Sequence, residues 1–257
     1  MTAGDSATVT SIHRYPVKGL SAEPLDRADL EIGRCLAFDR VYAVENGGRE
    51  FDPDNPRHMQ KIKFLMLMRN ERLASLETRF DDATHTLTIH RAGRQVAAGR
   101  LDTPIGRQLI EQFLAAFLPE EIRGTPRIVC ADGHNFTDVD AKWLSVINLA
   151  SVRDLARVMQ TDIHPLRFRA NIYIDGIEPW REFTWIDRDI AVDGIPVLHA
   201  MSRIQRCAAV NVDPLTGARD LAIPRALTDA FGHMDMGIYV AATAASAVAV
   251  GSSLSVV

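Results

Sequence analysis

The residues best suited to chemistry lie in "SRIQRCAAVNVDPLTGARD", Ser202 to Asp220, where a lone cysteine, Cys207, directly follows Arg206, with Arg203 nearby. A cation beside a thiol favours the thiolate, the form that ligates soft metals and attacks electrophiles. A free cysteine is also a common small core residue, so spacing alone leaves ligation and packing both open. "RFRAN" places Arg167 and Arg169 two residues apart. In a strand such positions share a face, and two guanidinium groups there could clamp a phosphate or carboxylate; a solvated edge is the plainer alternative. "YPVKGL" puts Lys18 before Gly19, a point charge beside a residue that lets backbone approach closely. "FDRVYAV" buries Arg40 in an otherwise apolar run, where a charge needs a partner.

Other chemistries lack their patterns. The histidines, His199 and His233 among them, show no ligand spacing, which argues against zinc. Neither common Gly-rich phosphate loop nor a nucleophile elbow is present. Cys35, Cys130 and Cys207 are odd in number and far apart, unlike a disulfide framework, so a reducing compartment is expected.

The elements that must position these residues are mostly strands. "TVTSIHRYPV", "RADLEIG" and "RVYAVEN" read as strands, and "LASLETRF" and "HTLTIHR" as a hairpin around Asp81–Thr84. Asn46–His58 reads as a loop. A helix should start at Thr103 with Pro104 in its first turn and carry Ile105, Leu109, Phe113 and Phe117 on one stripe. A second should follow Asn148 with Leu149, Val152, Leu155 and Val158 on one face, and a short third should lie near Pro224–Phe231. "ANIYIDG", "EFTWID", "DIAVDGIPVLHA" and "RCAAVNV" read as further strands, with "DPLTGARD" a tight turn. Strands with few helices and many Gly, Asp and Pro turns predict a mostly β fold, a barrel or sandwich with several helices, α+β overall. Turn residues cluster from Pro119 to Asn135, dividing the chain into 1–127 and 128–257.

With 257 residues, 47% hydrophobic and 24% charged, the chain can bury a sizeable core. Its net charge of -4 argues against a general nucleic-acid partner, which needs a basic surface. Gly237 to Val257 has no charged residue, but Ala, Ser, Gly and Thr dominate and "GSS" interrupts it, so it reads as buried strands, with no membrane partner. No secretory signal is visible, and a cytoplasmic location is expected.

In their order, "YPVKGL", "FDRVYAV", "FTDVDAKWLSVINLASVRDL", "RFRANIYIDG", "WREFTWID", "RCAAVNVDPLTGARD", "GIYV" and "VGSSL" resemble MOSC-domain proteins carrying the MOSC N-terminal β-barrel module. The likeness extends to the amidoxime-reducing component and the bacterial proteins that detoxify N-hydroxylated bases. It implies a β-barrel MOSC fold, with the N-terminal module over 1–127 and the MOSC domain over 128–257. It implies the molybdenum cofactor, a metal held by a phosphate-bearing pyranopterin dithiolene, and no pyridoxal phosphate. Cys207 matches the metal-ligating and catalytic cysteine. Lys18, Arg40, Arg169, Asn171, Arg206 and Tyr239 match cofactor-binding positions, and Asp140 and Lys142 align with a further cofactor loop. The implied activity is two-electron reduction of hydroxylamines, amidoximes or N-hydroxy bases, with electrons from a separate ferredoxin- or flavoprotein-type donor. The chain itself has no haem motif or iron–sulfur cysteine set. A carrier of the cofactor, or of sulfur on Cys207, is the alternative from another class. A third is a cofactor-free domain in which Cys207 is packing. Gly19 and Gln205 replace hydroxyl-bearing residues of eukaryotic relatives, Ala170 replaces a proline, and "VGSSL" departs from Gly-Asp-Pro.

Overall fold

The computed structural model describes residues 6–257. The first half contains β1 (Ser6–Arg14), β2 (Glu23–Leu25), β3 (Arg27–Leu30), β4 (Ala43–Asn46), β5 (Glu77–Asp81), β6 (Thr86–Arg91), β7 (Arg94–Arg100), α1 (Pro104–Phe117) and β8 (Pro126–Val129). The second contains β9 (Leu144–Asn148), α2 (Leu149–Met159), β10 (Ile172–Asp175), β11 (Asp189–Val192), β12 (Ile195–Gln205), α3 (Ile223–Phe231), β13 (Asp235–Ala242), β14 (Ser246–Ala249) and β15 (Ser253–Val256). The fold is mostly β with a few helices, as its turn-rich sequence predicts.

Seven strands close into a barrel in the order β1-β10-β9-β13-β12-β11-β15, with β15 returning to β1 and β2 appended beside it. All neighbours are antiparallel except β9 and β10. Closure removes the exposed edges that an open sheet would leave. Alternating residues fill the interior: Val9, Val146, Ile174, Ile190, Leu198 and Val240 are all buried. β1 is therefore a stave of the barrel that the second half builds, and β3 pairs with β14. The division expected between 127 and 128 falls inside β8, which pairs with β4. A second core joins Val17, Tyr42 and Leu65 to the β5–β6–β7 sheet and α1.

Thr103 caps α1 by accepting from the Gly106 amide at 3.2 Å. The buried face, however, is Gly106, Ile110, Leu114 and Phe117, whereas Ile105 and Leu109 of the expected stripe are exposed. The rotation has a cause. A Cβ on Gly106 would lie 2.1 Å from the Arg100 carbonyl oxygen, so only glycine lets the helix start against β7. Asn148 caps α2 through the Ala150 amide at 3.0 Å. Two expected strands are corrected. "EFTWID" is a 3-10 turn, Arg181–Trp185, because Glu182 must reach buried donors on α2 and its cap Asn148 while Phe183 and Trp185 enter the barrel core. "RCAAVNV" is not a strand either: β12 stops at Gln205, and Cys207 leads into the 3-10 turn Ala208–Asn211. Val212 pairs with Arg219 across the "DPLTG" turn, where Asp213 Oδ1 accepts from the Leu215 and Thr216 amides. That turn therefore closes the segment after Cys207, not a strand carrying it. No helix among the described residues is long and apolar enough to cross a membrane.

Candidate functional site

A cleft of about 400 Å³ opens at the end of β12. Its wall joins three parts of the chain: Lys18, Arg40 and Lys61 from the first half; Asp138 and Trp143 from the segment before β9; and Arg169, Arg206, Cys207 and Tyr239 from the barrel and its loops. Cys207 is half-buried, and its carbonyl accepts from Val210 as the 3-10 turn begins. Its sulfur accepts a hydrogen bond from Lys61 Nζ at 3.3 Å. It is thus a cleft residue rather than sealed packing.

The cationic side chains are held by backbone carbonyls, by two carboxylates and by aromatic rings. Lys18, buried where β1 turns away, donates to the Phe136 carbonyl at 2.9 Å and to Asp138 Oδ1 at 2.5 Å. Beside it Gly19 has φ +85°, and a Cβ there would sit 2.9 Å from the Leu65 carbonyl oxygen, which accounts for glycine at this position. Arg40 donates to Asp39 Oδ2 at 2.5 Å and to the Arg169 carbonyl at 2.9 Å. The Arg40 and Arg169 guanidinium carbons lie 4.6 and 4.3 Å from the centroid of the buried Tyr15 ring. Both arginines have left-handed backbone, φ 53° and 51°. Non-glycine residues rarely adopt that conformation, and it gathers at functional sites. Arg206 donates to the Met236 carbonyl through Nε and Nη2, and to the Phe168 carbonyl through Nη1.

Most of these contacts consume donors without neutralising charge. Lys18, Arg40, Lys61, Arg169, Arg203 and Arg206 line the cleft, and Asp138 is its one acid among the described residues. Burial would raise the Asp138 carboxyl, but Lys18, Lys61 and Arg40 outweigh it and hold the group well below the usual carboxylate range. Burial lowers the Lys18 ammonium, although Asp138 pulls it up. Burial likewise lowers the Arg169 and Arg206 guanidinium groups and raises the Tyr239 phenol. Among the described residues, neither the Arg169 guanidinium nor the Tyr239 hydroxyl has a hydrogen-bond partner. Tyr239 instead packs against Trp143, ring centroids 5.7 Å apart.

Not every expected residue contributes a free group. Asn171 lines the cleft, but its amide is spent within the barrel: Oδ1 accepts from the Ser145 amide and hydroxyl, and Nδ2 donates to the His13 carbonyl. Asp140 and Lys142 lie in a neighbouring hollow of about 340 Å³ with His58 and His134, where Lys142 donates to the Gly133 carbonyl. Arg167 does not act as a pair with Arg169. It sits in the 3-10 turn Pro165–Phe168, and its two Nη groups are committed to Asp213, Asp220 and the Asn211 carbonyl. The expectation of one shared face assumed a strand, and the left-handed turn at Arg169 separates the two. Lys61, Asp138 and Trp143 were not singled out from sequence. Lys61 lies in a basic run, "QKIK", that belongs to none of the matching pieces, whereas Asp138 and Trp143 lie in the matching "FTDVDAKW" stretch, from which Asp140 and Lys142 were drawn instead.

The donor set fits an anionic group held through sulfur: one accessible thiol, an excess of fixed cations, and two unpartnered donors. No three His, Cys, Asp or Glu side chains among the described residues cluster to hold a metal by themselves. A metal on Cys207 would draw its remaining ligands from the group that carries it.

Two family profiles together match nearly the whole chain. A profile described as the MOSC N-terminal beta barrel domain matches residues 6–117, and one described as the MOSC domain matches 133–255. The chain is 32% identical over 118 residues to a protein named molybdenum cofactor sulfurase from Caenorhabditis briggsae, covering 44% of this chain and 16% of that one. It is 32% identical over 113 residues to its namesake from Caenorhabditis elegans, covering 42% and 15%. The match thus spans about a sixth of the length of these relatives. Among solved structures, the YuaD protein from Bacillus subtilis superposes with a TM-score of 0.43 at 12% identity, covering 98% of this chain and 95% of that one. YiiM from Geobacillus stearothermophilus superposes with a TM-score of 0.35 at 11% identity, covering 44% and 53%.

Proposed function

Because the chain belongs to the MOSC-domain proteins that also carry the MOSC N-terminal β-barrel domain, we propose that it binds the molybdenum cofactor in the Cys207 cleft and reduces N-hydroxylated compounds. The observation that carries this reading is the meeting of an accessible thiol with cations from both halves of the chain. A thiolate is a suitable ligand for a soft metal, and a phosphate-bearing pterin suits fixed guanidinium and ammonium groups.

When bound, the cofactor would supply two-electron redox chemistry for the substrate's N–O bond. The residues of the chain do the rest. Cys207 anchors the group. Arg169, stacked on Tyr15 and free of protein acceptors, offers its fork to an anionic oxygen. Arg40 and Arg206 supply fixed positive charge while their own donors hold the loops together. The Tyr239 hydroxyl offers a neutral donor at the cleft wall, and Trp143 a planar surface. Reduction of a hydroxylamine breaks the N–O bond and takes up two electrons and two protons, leaving an amine and water. The electrons come from a separate donor protein of ferredoxin or flavoprotein type.

A second reading is a carrier that holds the cofactor, or sulfur on Cys207, and passes it on. The sulfurase names of the curated relatives favour it. Loaded protein incubated with a hydroxylamine and a reduced artificial donor separates the two. Many amines formed per molybdenum support the reductase. Loaded protein without turnover, but able to activate a cofactor-free molybdoenzyme, supports the carrier and overturns the reductase.

A further inference from the structure

Lys61 comes from neither the barrel nor a recognisable motif, yet its ammonium is the protein group bonded to the Cys207 sulfur. It sits in a 3-10 turn, Lys61–Lys63, whose exit is fixed in place. Phe64 packs into the Phe51–Phe136 cluster and pairs with Glu45 of β4, and the Leu65 amide donates to the Val44 carbonyl. From that anchored turn Nζ reaches across to the other half of the molecule, 3.3 Å from Cys207 Sγ and 3.3 Å from Asp138 Oδ2. Asp138 is itself gripped by Lys18 through its other oxygen. Lys18, Asp138, Lys61 and Cys207 therefore form one chain of contacts that crosses from the first half to the metal-binding residue. The Lys61 side chain is 31% exposed, so the fold does not need it as core.

We propose that Lys61 is a positioning residue for Cys207: it fixes the sulfur and draws charge from it, raising the reduction potential of a metal bound there. The inference rests on the reading that Cys207 holds the cofactor's metal. A hydrogen bond to a ligating sulfur reduces the electron density it gives the metal and so favours the reduced state. A nearby positive charge acts in the same direction. The first half of the chain thereby sets the electronic properties of a centre ligated by the second.

The test uses full-length wild type, Lys61→Met, Lys61→Gln and Lys61→Arg from a cofactor-proficient host. Molybdenum per chain is measured, then the midpoint potential of the bound metal by redox titration followed through its paramagnetic signal. All four proteins should carry equal metal. Lys61→Met should lower the potential by about a tenfold change in the one-electron equilibrium, ~59 mV. Lys61→Arg, which keeps an N–H donor and the charge, should stay near wild type, and Lys61→Gln, which keeps only the donor, should fall between. A fully loaded Lys61→Met with the wild-type potential overturns the proposal, as does a Lys61→Met that folds but loses its metal. Wild type without molybdenum overturns the binding reading itself, a distinct result.

Discussion

Two carboxylates in this molecule are placed in opposite company. Glu182, sealed against α2 with no exposure, is held by neutral donors: Asn148 Nδ2 at 3.0 Å and the Ser151 hydroxyl at 2.8 Å. Asp138, open to the cleft, is held by Lys18 and Lys61. Burial raises the Glu182 carboxyl and is only partly offset by Asn148 and Ser151, whereas the cations lower that of Asp138. The contrast separates a group that holds the fold from one that belongs to a ligand site. The Glu182 donors are satisfied within the protein and leave nothing for a ligand. Around Asp138 positive charge remains in excess. The two arginines of "RFRAN" repeat the contrast two residues apart: Arg167 is 3% exposed and paired with Asp213 and Asp220, while the Arg169 guanidinium has no hydrogen-bonded partner among the described residues.

Substitutions can break or sharpen that contrast. Glu182→Ala removes the acceptor of two buried donors and should lower unfolding stability by about 2–6 kcal/mol, at 1–3 kcal/mol per donor, while leaving anion binding in the cleft intact; denaturant titration and calorimetry with pyrophosphate read the two effects. Asp138→Asn should destabilise less, and in full only above the ordinary Asp value of 3.8. The depressed folded value means the interaction is fully present above that pH and is lost as the pH falls through the folded value. Melting curves of variant and wild type should therefore converge in acid. Glu182→Gln should run the other way. A folded value raised above 4.5 means the wild type loses stability as the pH rises through that window. The amide should thus melt higher at pH 8, with the gain shrinking as the buffer is acidified. Arg169→Gly should have the smallest effect on the fold, within about 1 kcal/mol, since a lost cation–π contact is offset by relief of left-handed backbone. Its pyrophosphate affinity should nevertheless fall, which would mark Arg169 as a ligand-facing group.

The fold was legible where local patterns and tertiary demands agree. Thr103 and Asn148 cap the helices that the sequence suggests, and the Asp81–Thr84 turn joins β5 and β6. It was illegible where a distant partner decided the conformation. The fully buried Glu182 turns "EFTWID" into a 3-10 turn, and the Gly106 approach to β7 rotates α1 away from the Ile105–Leu109 stripe. In the site, Cys207, Lys18, Arg40, Arg169, Arg206 and Tyr239 stood in motifs that could be read in order, and they meet around one cleft. Lys61 could not be read, because its significance comes from contacts spanning long stretches of chain, and within "FTDVD" the motif pointed to Asp140 while the fold turns Asp138 into the cleft. Arg167 and Asn171 looked like ligand residues by type, but the Arg167 Nη groups and the Asn171 amide serve the protein.

The central claim is that Cys207 holds the molybdenum cofactor, and stoichiometry tests it most directly. Protein from a cofactor-proficient host is assayed for molybdenum and released pterin, alongside Cys207→Ala and Glu182→Gln. Wild type and Glu182→Gln should each contain about one molybdenum and one pterin per chain, and Cys207→Ala should contain no molybdenum while remaining folded. Metal and pterin absent from a folded wild type, or molybdenum retained in full by Cys207→Ala, would contradict it.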